Sequence, residues 1–340
     1  MQWHLILSTA LVYLSFFLFL FLLGNKRKSM SITNYSVVSE FVFLGLSNSR
    51  PMQHFILSCS TISYISIVLG NLLVALTVTF DSHLHSPMYF LLANLSIMDL
   101  CFSTVTVPKM LSDLYSGKNT ISFQGCVIQI FILHVLGASE MMLLIAMALD
   151  RYVAICKPLN YLNIMSPWMC IWLVFGAWVF GIIHSGFQLA FVAHLHFCGP
   201  NEIDSFYCDL PWFIKLACAD TYKLEFIVTA NSGIVSMGTF FLLNFSYMFI
   251  LVTVWKHSSS ALSKAFSTLS AHITVVVLFF GPCIVVYMWP CPTVPVDKFL
   301  SVLDFLITPL LNPAIYTLRN KDMKMAMRKL SSQFLSLRKI

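Results

Sequence analysis

The sequence predicts an all-α membrane protein, a seven-transmembrane helix bundle followed by a short amphipathic C-terminal helix, and three observations carry that prediction. The 340 residues are 58% apolar and only 10% charged, with 30 phenylalanines and a mean hydropathy of +0.83. A water-soluble domain carries roughly a quarter charged residues, so an ordinary soluble enzyme and a disordered chain are both excluded. Apolar runs recur along the chain, each long enough to cross hydrocarbon, which takes about 20 helical residues. No segment repeats another at a fixed period, which argues against the repeat architecture of many transporters.

In chain order the spans fall at 54–80, 87–111, 125–150, 167–191, 225–255, 265–289 and 298–318. The connections are short except for the stretch 192–224, and a basic tail that alternates charged and apolar residues follows residue 318. Such a tail is expected to lie as an amphipathic helix on an anionic membrane surface, the alternative being an unstructured basic tail. A further apolar run at 3–23 stands apart. If it spanned the membrane with Asn34 outside, Lys26, Arg27 and Lys28 would also lie outside, against the preference of basic residues for the cytosol. It also lacks a basic start and a small-residue cleavage site, since only His4 precedes it and Leu22, Leu23 and Gly24 follow. Met30 offers a second start. The expectation is a working protein that begins at or near Met30, or a leader that acts as a poorly formed signal sequence. The layout is then an atypical leader at 1–29, an extracellular N-terminus at 30–53, the seven-span domain at 54–318 and a cytoplasmic tail at 319–340.

Charge sets the orientation. Arg151, Lys157, Lys256, Lys264 and the basic residues from Arg319 to Lys339 collect on one side of the spans, whereas only Arg50, Lys109, Lys118, Lys215, Lys223 and Lys298 fall on the other. The richer side is cytosolic, which puts the tail inside and the segment before residue 54 outside. Of three Asn-x-Ser sequons, those at Asn94 and Asn244 lie within spans, leaving Asn34 as the usable glycosylation site on the side already assigned to the exterior. The net charge of +6 is dispersed among loops and tail, with no basic, aromatic-interleaved stripe, so it reads as topology rather than nucleic-acid binding.

Ionisable groups inside a bilayer are costly and therefore functional candidates. Asp99 lies mid-way along the second span, Glu140 along the third, and Asn312 in the seventh. Facing carboxylates in a dry interior could hold a sodium ion or a proton between them; the competing reading is a neutral, hydrogen-bonded pair that fixes helix packing. An aspartyl intramembrane hydrolase is a third reading, and no nucleophile motif or metal motif such as His-Glu-x-x-His accompanies it. The long loop holds Cys198, Cys208 and Cys218, and with Cys126 at the start of the third span they make four cysteines, which allow three pairings.

One block at the end of the third span, Met147 to Cys156, contains Asp150, Arg151 and Tyr152, and the seventh span carries Pro309 to Tyr316, PLLNPAIY. With Gly70 and Asn71, the run PMYFLLANLS from Pro87, Ser246 with Tyr247, and KAFSTLSAH from Lys264 to His272, the chain resembles a rhodopsin-like G-protein-coupled receptor, and within that class an olfactory receptor. The resemblance covers about residues 34–330, and several long motifs in order are far more specific than any one alone. Leu149 stands where the family usually has Tyr before Asp-Arg-Tyr, and Leu269 where it usually has Cys. Neither departure removes a charged or hydrogen-bonding member of the switch, so they bear on coupling strength.

The resemblance implies that Arg151, released from Asp150 on activation, receives the tail of an olfactory stimulatory G protein, with Tyr247 and Tyr316 swinging to support the open cleft. Independently, Pro313 removes a backbone donor and Asn312 beside it can satisfy the freed carbonyl, which makes a hinge. The family pairs Cys126 with Cys208, leaving Cys198 and Cys218 for each other. Its pattern places the pocket among Leu133, His134, Gly137 and Ala138 of the third span, Asn231 and Val235 of the fifth, and Phe280 and Tyr287 of the sixth. That wall is mainly apolar and suits a small, mostly hydrophobic volatile molecule. His134 is either a ligand contact or a packing histidine bonded to a neighbouring helix. Asp304 either favours an amine or faces water near the end of its helix. The function implied is an odorant receptor in the plasma membrane that raises cyclic AMP, not an enzyme; an orphan or decoupled receptor, a transporter and the hydrolase are the alternatives.

Overall fold

The computed structural model describes residues 38–192, 195–197, 201–218, 221–255, 259–288 and 294–337. The leader at 1–29 and the sequon Asn34 lie outside the described residues.

The chain begins with strand β1 (Glu40–Phe43) and enters helix α1 (Arg50–Phe80), with Pro51 in its first turn, where its missing N–H costs nothing. Helix α2 (Pro87–Ser116) also opens on proline, and it stops at Gly117, whose φ of 67° lets its N–H reach back to the Asp113 carbonyl. Strand β2 (Thr120–Ser122) leads into α3 (Phe123–Cys156), where the Ser122 hydroxyl accepts from the Gly125 N–H. Ser166 caps α4 (Pro167–Ala190) in the same way through the Met169 N–H. Strand β3 (Glu202–Ile203) and a short helix, Leu210–Lys215, occupy the long loop. Helices α5 (Tyr222–Trp255) and α6 (Ser259–Met288) follow. The last span, α7, runs as an α-helix over Val294–Val302, a π-helical turn over Leu303–Ile307 and an α-helix over Thr308–Arg319, and α8 (Lys321–Leu337) closes the chain.

Among the described residues six helices are long and apolar enough to cross a membrane, and α6 adds a shorter apolar stretch, His272–Val285. The chain is a multi-pass membrane protein. Most helices extend a few residues beyond the spans read from hydropathy, α3 as far as Cys156, because helical hydrogen bonding continues past the end of the apolar run. Burial is distributed as a bilayer requires. Helices α2 and α3 form the centre, while α1, α4 and α5 turn Phe55, Ile62, Trp168, Trp172, Phe226 and Phe241 outward. Water would not support so wide an apolar surface.

The all-α expectation is corrected at one end. Strand β1 lies between two partners, antiparallel to β2 with Phe41 opposite Ile121 and parallel to β3 with Val42 opposite Glu202. Alternation in Glu-Phe-Val-Phe sends Phe41 and Phe43 inward. Phe41 packs against Phe123, Phe197 and Phe213, with ring centroids 5.4–6.0 Å away. Lys298 at the head of α7 donates to the Gly45 carbonyl at 2.8 Å and pairs with Asp204. The Cys126–Cys208 disulfide ties the long loop to the first turn of α3, with Cα atoms 5.4 Å apart. Cys218 is also disulfide-bonded, and Cys198, its expected partner, lies outside the described residues.

At the opposite end α8 folds back on the bundle. Met323, Ala326 and Leu330 are buried, and Lys329 approaches Asp81 at 3.8 Å.

Candidate functional site

A cavity of roughly 140 Å³ opens inside the sheet end of the bundle, well above the roughly 10–15 Å³ that one water needs. Helix α3 supplies its longest wall, with Leu133, His134, Gly137, Ala138 and Met141 recurring on one face. Val235 and Ser236 face it from α5, Phe279 and Cys283 from α6, and His184 from α4. Tyr207, Cys208 and Asp209 form its roof. That roof is pinned to α3 by Gln129, whose Oε1 accepts from the Cys208 N–H at 2.8 Å.

Five of the eight residues expected in the wall, Leu133, His134, Gly137, Ala138 and Val235, are brought together there. Phe280 is corrected: it is fully buried and turned against Phe240, 5.9 Å away, so that Phe279, one residue and about 100° around the helix, faces the cavity instead. Asn231 is not in the lining, and its neighbour Ser232 takes that place. The side chain of Tyr287 lies outside the described residues. His134 follows neither of its two readings alone, since its Nδ1 bonds the Ile130 carbonyl of its own helix at 2.9 Å while its ring lines the cavity, 6.5 Å from the ring of His184.

The floor is polar. Asn312 Nδ2 donates to both oxygens of Asp99 at 3.0 Å, which joins α7 to α2. Asn71 Nδ2 donates to the carbonyls of Ile67 and Pro309, also at 3.0 Å, joining α1 to α7. Glu140 lines the same cavity as Asp99, is 2% exposed, and has one oxygen, Oε1, with no hydrogen-bond partner. Asn312 Oδ1 and Asn71 Oδ1 are likewise buried without hydrogen-bond partners among the described residues. Asp304 and Phe305 face the cavity from the π-helical turn, so Asp304 does not merely face water.

At the far end of α3, Asp150 is fully buried and holds Arg151 in an ion pair. A third group joins them: Tyr161, in the short helix Tyr161–Ile164 of the following loop, donates its hydroxyl to Asp150 Oδ1 at 2.7 Å. Burial, and then the Asp150 carboxylate, push the Tyr161 phenol well above its ordinary value, so it stays a proton donor. Tyr161 escaped the sequence reading because nothing in its local pattern distinguishes it from any loop tyrosine. Tyr152 is half-buried with its ring 5.9 Å from Phe249. Tyr247 is buried in α5 with its hydroxyl unpartnered. Pro313 lies inside the last segment of α7, beside Asn312; the side chain of Tyr316 lies outside the described residues.

A family model described as olfactory receptor matches residues 60–333. Human olfactory receptor 4F6 is 60% identical over 311 residues, which cover 92% of this chain and 100% of that one. Human olfactory receptor 4F15 is 58% identical over the same extent, and human olfactory receptor 4K5 is 55% identical over 92% of this chain and 96% of its own.

Proposed function

The chain belongs to the olfactory receptor family, and from that premise we propose that it binds small, mostly hydrophobic volatile molecules in the cavity beneath the sheet and activates the olfactory stimulatory G protein, raising cyclic AMP. The family is not enzymatic, which removes the hydrolase alternative. The observation that carries the coupling half of the reading is the closed Asp150, Arg151 and Tyr161 cluster at the end of α3 opposite the cavity. A receptor at rest needs its G-protein-binding arginine held; an agonist that prefers the open bundle shifts the balance by its differential affinity.

Several finer assignments accompany this reading. The basic residues at the Arg151 end support a cytoplasmic tail and an extracellular N-terminus glycosylated at Asn34. In α8 the buried Met323, Ala326 and Leu330 alternate with exposed Lys324 and Arg328, which supports an amphipathic helix resting on anionic lipid. Cys198 pairs with Cys218. In the receptor without a cationic ligand, Asp99 and Glu140, with the unpartnered oxygen of Asn312, form an oxygen-rich donor set suited to a sodium ion, which an ammonium ligand at Glu140 would displace.

The test is cyclic AMP in cells that co-express the olfactory G protein, over a panel of volatile odorants with surface staining. A ligand response that Arg151→Ala abolishes at equal surface level is expected. A response that persists in Arg151→Ala would overturn the assigned switch.

A further inference from the structure

A mostly hydrophobic ligand leaves the charge of the cavity unexplained. Among its described lining residues are Asp99, Glu140, Asp304 and, in the roof, Asp209, with no lysine or arginine. These acids are not equivalent. Asp99 is served by Asn312 at both oxygens. Glu140 lines the cavity, and its Oε1 is buried with no hydrogen-bond partner among the described residues. Asp304 has no hydrogen bond or ion pair among the described residues, and it shares one face of α7 with Phe305, Thr308 and Pro309. The π-helical turn carries one extra residue per hydrogen-bonded turn and so alters which side chains of α7 face inward; such turns often occur at functional sites.

Carboxyl groups facing one dry space need either protons or a counter-cation, and a neutral ligand supplies neither. An ammonium group supplies a positive charge and three N–H donors at once. The surrounding rings suit the rest of such a ligand. Phe102 and Phe305 line the cavity and stack on each other with centroids 5.0 Å apart, offering apolar area to the carbon skeleton of a ligand.

We propose that this receptor's ligands are small amines bound as ammonium cations, with Asp304 and Glu140 receiving the N–H donors and Phe102, Phe279 and Val235 packing against the carbon skeleton. The proposal deepens the odorant-receptor reading and rests on it for the ligand's access and consequence. The alcohol of the same shape forfeits the charge and leaves a buried acceptor unmet, so discrimination between the two is expected to be large.

The experiment compares hexylamine, cyclohexylamine and phenethylamine with the matching alcohols on the full chain. Thermal stabilisation of the detergent-purified receptor reads binding, and cyclic AMP reads coupling. The expected result is half-maximal stabilisation by at least one amine at a concentration about tenfold or more below that of its alcohol, a gap that closes in Asp304→Asn and narrows in Glu140→Gln. If an alcohol matches its amine, or no amine stabilises the receptor, the proposal is overturned by the unsubstituted protein alone, however the variants fold. It also falls if the preference survives in both variants. Stabilisation by amines with flat cyclic AMP at good surface level sustains the ligand class and overturns the coupling reading. Activation by alcohols only does the reverse.

Discussion

Tyr161 adds a third member to the ion pair of Asp150 and Arg151. Asp150 is fully buried, so each of its oxygens needs a donor; Arg151 serves one and the Tyr161 hydroxyl the other. Removing the hydroxyl in Tyr161→Phe takes away a charge-assisted hydrogen bond to the Asp150 carboxylate, worth about 1.5–3 kcal/mol after exchange with water. Ligand-independent cyclic AMP should therefore rise several-fold at equal surface level, and an unchanged basal signal would show that Tyr161 does not help hold Arg151. Because the phenol is pushed up from its ordinary value, it remains protonated throughout the physiological range. Basal activity should accordingly show no titration traceable to Tyr161 between about pH 6 and 8, since a group with a raised value loses its proton only above that window. At this scale Asp150, Arg151, Asn312 and Asp99 are legible in the sequence, because a charge or amide within an apolar run announces itself. Tyr161 and the inward turn of Phe279 are not, since both depend on neighbours distant in the chain.

The crossing of α3 and α4 shows what a single missing methyl permits. Ala177, Gly181 and Ser185 recur every four residues on the buried face of α4, and a Cβ at Gly181 would stand 2.2 Å from Ser139 Oγ and 2.4 Å from the Val135 carbonyl. The carbonyl belongs to the α3 backbone and cannot swing aside. Gly181→Ala should cost about 1–3 kcal/mol, seen as a lower thermal midpoint of the purified receptor and less protein at the cell surface. At Gly186, on the same helix, a Cβ would meet nothing within 4 Å, so Gly186→Ala should leave stability unchanged or raise it slightly. A similar loss from both changes would place the sensitivity in α4 itself rather than at the crossing. The existence of the helices is readable from apolar runs, since a bilayer leaves a spanning segment few alternatives. The π-helical turn in α7 is not, because one inserted residue leaves the apolar run intact while shifting the register, and so Asp304 can be read from sequence as a water-facing residue.

The whole molecule is a bundle whose two ends are finished differently. Its Asp150 end is closed by ion pairs and by α8; its other end is closed by three short strands, a cluster of phenylalanines and a disulfide between residues separated by 82 positions. Breaking that cross-link frees the unfolded chain and so lowers stability by about 4.5 kcal/mol in the chain-entropy model, and Cys126→Ser with Cys208→Ser should sharply reduce surface receptor and lower the thermal midpoint. An unchanged midpoint would assign the closure to the strands and rings alone. The order of the spans can be read from hydropathy, but the sheet cannot, because the short run Glu-Phe-Val-Phe carries too little periodicity to stand out beside the far longer apolar runs.

The central place of β1 in that sheet has a consequence in time. It precedes every membrane-spanning helix in the chain, yet one of its partners, β3, is synthesised only after α4. Until then Phe41 can meet strand β2 and Phe123 but not Phe197 or Phe213, so the earliest-made of the described segments is among the last to complete its packing. A nascent chain of this kind therefore carries an incompletely paired N-terminal strand until the long loop has been made.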